Sequence, residues 1–104
     1  MKLAETISIR AGDRTIPFVE AGAALPLTKK ETLSTARDRQ ESVRCELVAG
    51  ARHVAFVEVG VASAPRGVPK VSLELRIDDD GSVSVVLRGE DGEASASFSV
   101  TTRM

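Results

Sequence analysis

Hydrophobic and polar residues alternate strictly along the last third of the chain. Val71, Leu73, Leu75 and Ile77 share one side of an extended segment, while Ser72, Glu74 and Arg76 share the other. A period of two is the signature of a strand with one buried and one wet face. The pattern resumes at Val83, Val85 and Leu87 after Asp78-Asp79-Asp80-Gly81, where Asp-Gly predicts a tight hairpin turn. It resumes once more at Ala94, Ala96, Phe98 and Val100, interleaved with Ser95, Ser97 and Ser99, after a second turn at Gly89-Glu90-Asp91-Gly92. Three consecutive antiparallel strands are therefore expected there. Further short strands are predicted over 6–10, 15–20, 32–36, 42–48 and 54–61. Gly12-Asp13, Gly22, Ala49-Gly50 and Pro65-Arg66-Gly67-Val68-Pro69 punctuate them. Residues 28–41 carry charges and helix formers, but Thr32, Ser34 and Thr35 disfavour a helix and the apolar spacing is not helical. Eight short strands with evenly spaced turns predict an all-β fold: a two-layer antiparallel β-sandwich, as one domain over residues 1–104.

Composition narrows the function classes. With 14 Lys plus Arg against 15 Asp plus Glu, the net charge of −1 supplies no basic field for nucleic acid. No apolar run approaches the roughly 20 residues of a membrane-spanning helix. The N-terminus alternates charge and apolar residues where a signal peptide would be continuously apolar. A cytoplasmic location is expected. Arg supplies ten of the fourteen basic residues, and Ala and Val are abundant, which fits a GC-rich bacterial genome.

The candidate chemistry is thin. One cysteine, Cys45, provides neither a disulfide framework nor a zinc site. Cys45 and His53 are the sole pair for nucleophile–base chemistry. Yet Cys45 lies on the alternating apolar face Val43, Cys45, Leu47, which reads as a buried small hydrophobe. His53 follows a Gly-Ala-Arg loop and reads as solvated. The triple Asp at 78–80 lacks the spread of ligands and the closing Glu of a calcium loop. Gly81, Gly89 and Gly92 are turn glycines and form no phosphate loop. Pro65–Pro69 reads as a structural turn that fixes entry into a central strand. The expectation is a protein that is not an enzyme and that uses no metal or cofactor.

Two segments carry a resemblance to a known family. APRGVPKVSLELRIDDDGSVSV, residues 64–85, is similar to the 70-kDa heat-shock chaperone (DnaK) family, in which a PRG-x-P turn leads into an alternating strand ending in D-x-D-x-(D/N)-G. LPLTKKETLSTARDRQESVRCELVAG, residues 25–50, resembles that family's IPTK…F(S/T)TAxDNQ…V…V…G segment. The two segments agree with the family in order and internal spacing, and the connection 51–54 is shorter than the family's loop. Residues 12–24 align without gaps. The resemblance covers the β-sandwich half of the substrate-binding domain. The ATPase domain, the interdomain linker and the helical lid have no counterpart in these residues.

What the resemblance implies is a cleft between two loops that holds an extended apolar peptide. Carried over position by position, Leu33, Val43, Cys45 and Val71 line its pocket, joined by Ile7 or Ile9 of the first strand, with Ile9 taken as the lining residue. Ala11 and Ala36 match the residues that arch over the peptide, and two alanines leave that arch open. Leu33 stands where the family has Phe, and Arg39 where it has Asn. Asp80 lies in a turn near the family's ATPase-domain contact, which makes it a candidate docking remnant. The expected function is weak, ATP-independent binding of extended Leu-rich segments. The alternative is a degenerate sandwich that serves as an interaction or structural module, through edge pairing, self-association or one dedicated protein partner. The short loop, the altered cleft and Met1 just before the first strand favour a complete small protein over an excised piece of a longer chaperone.

Overall fold

The computed structural model describes residues 1–11, 14–34, 38–61, 63–90 and 92–104, with the side chain of Ala11 left out. Ten strands follow one another: β1 (Lys2–Leu3), β2 (Ile7–Ala11), β3 (Arg14–Val19), β4 (Leu27–Ser34), β5 (Ser42–Ala49), β6 (Arg52–Gly60), β7 (Lys70–Ile77), β8 (Ser82–Arg88), β9 (Glu93–Ser99) and β10 (Thr102–Arg103). They form two four-stranded antiparallel sheets, ordered β3-β2-β5-β6 and β4-β7-β8-β9, and a small β1-β10 ribbon. The fold is the all-β sandwich that the alternation predicts. All eight predicted strands are present, with ends shifted by a residue or two except in β4; residues 35 and 36 of the strand predicted over 32–36 lie outside the described residues.

The registers explain why the alternating residues meet. Ile9 lies opposite Leu47, Cys45 opposite Val57 and Val43 opposite Val59. In the other sheet Leu73 lies opposite Leu87, Leu75 opposite Val85 and Ile77 opposite Val83. Partners in an antiparallel pair point to the same face, so each sheet presents a continuous apolar surface. These surfaces close on one core, in which Ile7, Cys45, Leu47, Leu73, Leu75, Ile77, Val85 and Leu87 are wholly buried. Each buried aliphatic side chain contributes about 1.5–3 kcal/mol of hydrophobic free energy.

Three features depart from the sequence reading. β4 starts at Leu27, five residues before the strand predicted over 32–36. Its pairing with β7 turns Leu27, Lys29, Glu31 and Leu33 toward the core side, and the two charges in the middle hide the alternation. Lys29 and Glu31 stay in solvent because β4 is an edge strand. Lys29 reaches across to the facing sheet, where its Nζ donates to the carbonyl of Phe18 and lies 4.9 Å from that ring's centre. Second, the β2–β3 pairing shifts register between Ile7 and Ser8, which leaves Phe18 as an extra residue. Phe18 and Val19 are consequently both buried although adjacent, at 6% and 5% exposure. Third, β1 and β10 are two residues long, too short to show a period.

Successive strands reverse direction, so Ala11 and Arg14, Ser34 and Ser42, Gly60 and Lys70, and Arg88 and Glu93 are strand ends at one end of the sandwich, the loop end. The opposite end is shut by β1 and β10. There Leu3 is wholly buried, its N–H donates to the carbonyl of Ala23, and Glu5 pairs with Arg52 at 3.2 Å. The β7–β8 turn belongs to this closed end and holds Gly81 at φ +88°. Asp80 accepts the N–H of Ser82 at 2.9 Å, and that hydrogen bond holds its carboxyl below the usual carboxylate range.

Candidate functional site

Of the pocket residues implied by the resemblance, Leu33, Val43 and Val71 lie at the open end of the sandwich. Ile9, Val43 and Cys45 sit on the inner face of one sheet: Val43 near the loop-facing end of β5, Cys45 at its middle, and Ile9 in the middle of β2, opposite Leu47 and so nearer the closed end. Leu33 and Val71 are direct partners on the inner face of the other sheet, next to the same loops. Ile9, Val43, Cys45 and Val71 belong to the common core, and Leu33 packs against it. Their exposures decide what they present: Cys45 is at 0%, Val71 at 2%, Val43 and Ile9 at 6%, and only Leu33 is half-buried. Ile7, the other first-strand candidate, is wholly buried nearer the closed end. Of the two arch positions, Ala36 and the side chain of Ala11 lie outside the described residues.

The rim of this end is tied together by hydrogen bonds that the sequence did not announce. The N–H of Arg39 donates to the carbonyl of Ala64 at 2.8 Å, and the N–H of Val61 to the carbonyl of Glu41 at 2.9 Å. Asp38 accepts the N–H of Arg66 at 2.9 Å, and the Ser34 hydroxyl donates to the carbonyl of Pro69. The β4–β5 connection is thereby stitched to the β6–β7 connection. Within the latter, Val68 closes a turn on Pro65 and Gly67 takes φ +80°, so Pro65–Pro69 is the turn that the sequence suggests. One signal for the stitch was legible. Arg39 adopts φ +57°, a conformation that Asn accepts far more readily, and Arg39 stands where the resemblance places Asn.

A cleft of about 110 Å³ opens beside this rim, lined by Gly60, Val61, Ala64, Val68, Pro69, Lys70 and Glu90. It adjoins the expected pocket: a Cβ placed at Gly89, next to its lining residue Glu90, would touch Val71 and Val59. Asp38, Arg39, Ser63, Ala64 and Pro65 border a second, shallower depression on the same rim. Neither is lined by the five expected pocket residues.

Nucleophilic chemistry has no geometry to support it at Cys45. Its thiol is sealed in the core, and burial pushes its pKa from 9.0 up to about 11. His53 faces the other side of the sheet, half in solvent, with Nε2 3.9 Å from Glu46. Among the described residues no cluster of His, Cys, Asp or Glu is arranged to hold a metal ion, and no helix is long and apolar enough to cross a membrane.

One family model spans nearly the whole sandwich. The family model described as Hsp70 protein matches residues 3–103. The chain belongs to the Hsp70 family. It is 30% identical over 98 residues to the chaperone protein DnaK of Mycoplasmopsis agalactiae, covering 86% of this chain and 16% of that protein. The chain thus spans about a sixth of that relative's length. Its all-β fold is the substrate-binding-like β-sandwich of the Hsp70 family.

Proposed function

We propose that the chain is a peptide-binding module that holds extended, Leu-rich segments weakly, without ATP and without catalysing a reaction. The observation that carries this reading is that Val43 of one sheet and the paired Leu33 and Val71 of the other lie on the inner faces next to the loops, with Cys45 and Ile9 behind them in the same core. The hydrogen-bonded rim beside them offers a firm support for a peptide backbone. Leu33, half-exposed on an edge strand, is the point of entry; the peptide's side chain parts Leu33 from the core and takes its place over Val71. One buried Leu side chain contributes about 1.5–3 kcal/mol, and each backbone hydrogen bond a net 0.5–1.5 kcal/mol. After the cost of association and ordering, the affinity is on the order of −7 kcal/mol, micromolar or weaker.

A second reading draws on the near-complete burial of Cys45 and Val71. In it the pocket residues have become ordinary core, and the sandwich is a docking scaffold for one dedicated partner. Fluorescence anisotropy of a dye-labelled, Leu-centred heptapeptide separates the two. The label is required because the chain has neither Trp nor Tyr. Saturable binding in the micromolar range, lost in Val43→Phe, supports the peptide module. Because Val43 is buried and Phe strains its site, Leu33→Glu is the companion variant; Glu31 on the same edge shows that a charge is tolerated there. A flat titration up to about millimolar protein, near −4 kcal/mol, retires the peptide module in favour of the scaffold.

A further inference from the structure

Each sheet of the sandwich has two edges, and three of the four carry a device that blocks pairing with another strand. β3 contains Pro17 and the bulge at Phe18. β4 turns the charged Lys29 and Glu31 toward the core side. β6 has Arg52, His53 and Glu58 and pairs with β5 through an irregular register. β9 has none of these. It runs seven residues without proline and without a register shift, and its sole charge, Glu93, sits at its start, held by Arg88 at 2.9 Å.

The hydrogen bonding of this edge follows from the turn that precedes it. The N–H of Gly89 donates to the carbonyl of Gly92 at 2.8 Å, in register with the β8–β9 ladder. Bonded and non-bonded pairs alternate in an antiparallel ladder, so Ala94, Ala96 and Phe98 bond to β8. The N–H and C=O groups of Ser95, Ser97 and Ser99 therefore point outward, and among the described residues no strand pairs with them. On the core side of the same strand, Ala94, Ala96 and Phe98 are only half-buried.

We propose that β9 is a self-association edge: two copies of the chain pair their β9 strands antiparallel about a two-fold axis at Ala96. The strand is complementary to itself in this register. Ala94 of one copy meets Phe98 of the second, so each half-exposed ring lies beside a small residue. Ser95 meets Ser97 on the outer face, and Glu93 meets Ser99, so no like charges are opposed. The two four-stranded sheets become one continuous sheet. The proposal concerns a different edge from the loop-end cleft and stands independently of peptide binding.

Sedimentation velocity across a concentration series up to about millimolar protein tests it, with Ser97→Pro as the decisive variant. Proline at Ser97 deletes an outward N–H and leaves the β8 ladder whole, a substitution that an edge strand tolerates. Each dimer loses two interchain hydrogen bonds, so dissociation is expected to strengthen by about tenfold or more, with the far-ultraviolet dichroism unchanged. A wild-type chain that stays monomeric throughout, or a folded Ser97→Pro protein that associates as well as wild type, overturns the proposal. Should Ser97→Pro fail to fold, Ser97→Lys carries the test. Its two lysines lie diagonally across the axis, and weakened association that added salt restores is expected. Unchanged association of that variant at low salt also overturns it.

Discussion

Replacing Gly81 by Ala separates two costs that usually come together. A Cβ at Gly81 would lie 2.3 Å from the carbonyl oxygen of Val100, on a backbone held at φ +88°. Gly67 provides the comparison, because its φ is +80° and a Cβ there meets nothing within 4 Å. Gly67→Ala should therefore cost only the left-handed conformation, about 1–2 kcal/mol. Gly81→Ala carries that cost and also pushes Val100 away, weakening the bond its N–H makes to the Gly81 carbonyl at 2.9 Å. That bond is worth about 0.5–1.5 kcal/mol, and displacement of the chain that leads into β10 adds to it, for a total of about 2–4 kcal/mol. For a domain of this size the melting temperature should fall by roughly 10–25 °C. Thermal and urea unfolding followed by far-ultraviolet dichroism measure both variants. The turn lies at the closed end, so the folded fraction of Gly81→Ala should bind a labelled peptide as wild type does. Equal losses for the two variants, or a loss below about 1 kcal/mol at Gly81, would refute the reasoning.

Two further expectations concern the loop end. The thiol of Cys45 titrates at about 11 in the folded chain against 9.0 ordinarily, so between these values the unfolded state binds fewer protons and stability falls as pH rises. The fall should approach about 2–3 kcal/mol and be missing from the stability curve of Cys45→Ala, with chemical denaturation at a series of alkaline pH values as the assay. Arg39→Asn should stabilise the chain by a few tenths to about 1 kcal/mol, because Asn occupies positive φ at lower cost while the backbone bond to Ala64 is kept. A loss of stability in Arg39→Asn would show that the guanidinium contributes more than the backbone conformation costs.

The expected peptide site was legible in the sequence only through the resemblance. Alternation alone puts Val43, Cys45 and Val71 on apolar faces, and every apolar face in a sandwich looks like core. Only the resemblance of the motif-bearing segments singles those positions out as an expected pocket. The stitched rim escaped the sequence reading for another reason. Its bonds join backbone groups of Arg39, Val61 and Ala64 to partners more than eighteen residues away. A backbone donor looks the same in every residue, so apart from Arg39 at a position that favours Asn nothing marks which of these backbone groups meet.

Strand identity was set locally. From Val71 to Val100 a period of two, broken by Asp-Gly and by a glycine-flanked turn, specifies three strands whatever the rest of the chain does. Edges, bulges and registers were settled by tertiary structure. Lys29 and Glu31 occupy positions on the core side of β4, and only its place at a sheet edge leaves them solvated. Phe18 and Val19 are buried together because a register shift admits one extra residue, an event that depends on β2 and not on β3 alone. Alternation therefore dictates that a segment becomes a strand and which face is apolar. Which neighbour that strand has, and whether its edge is covered, depends on pairing between distant segments.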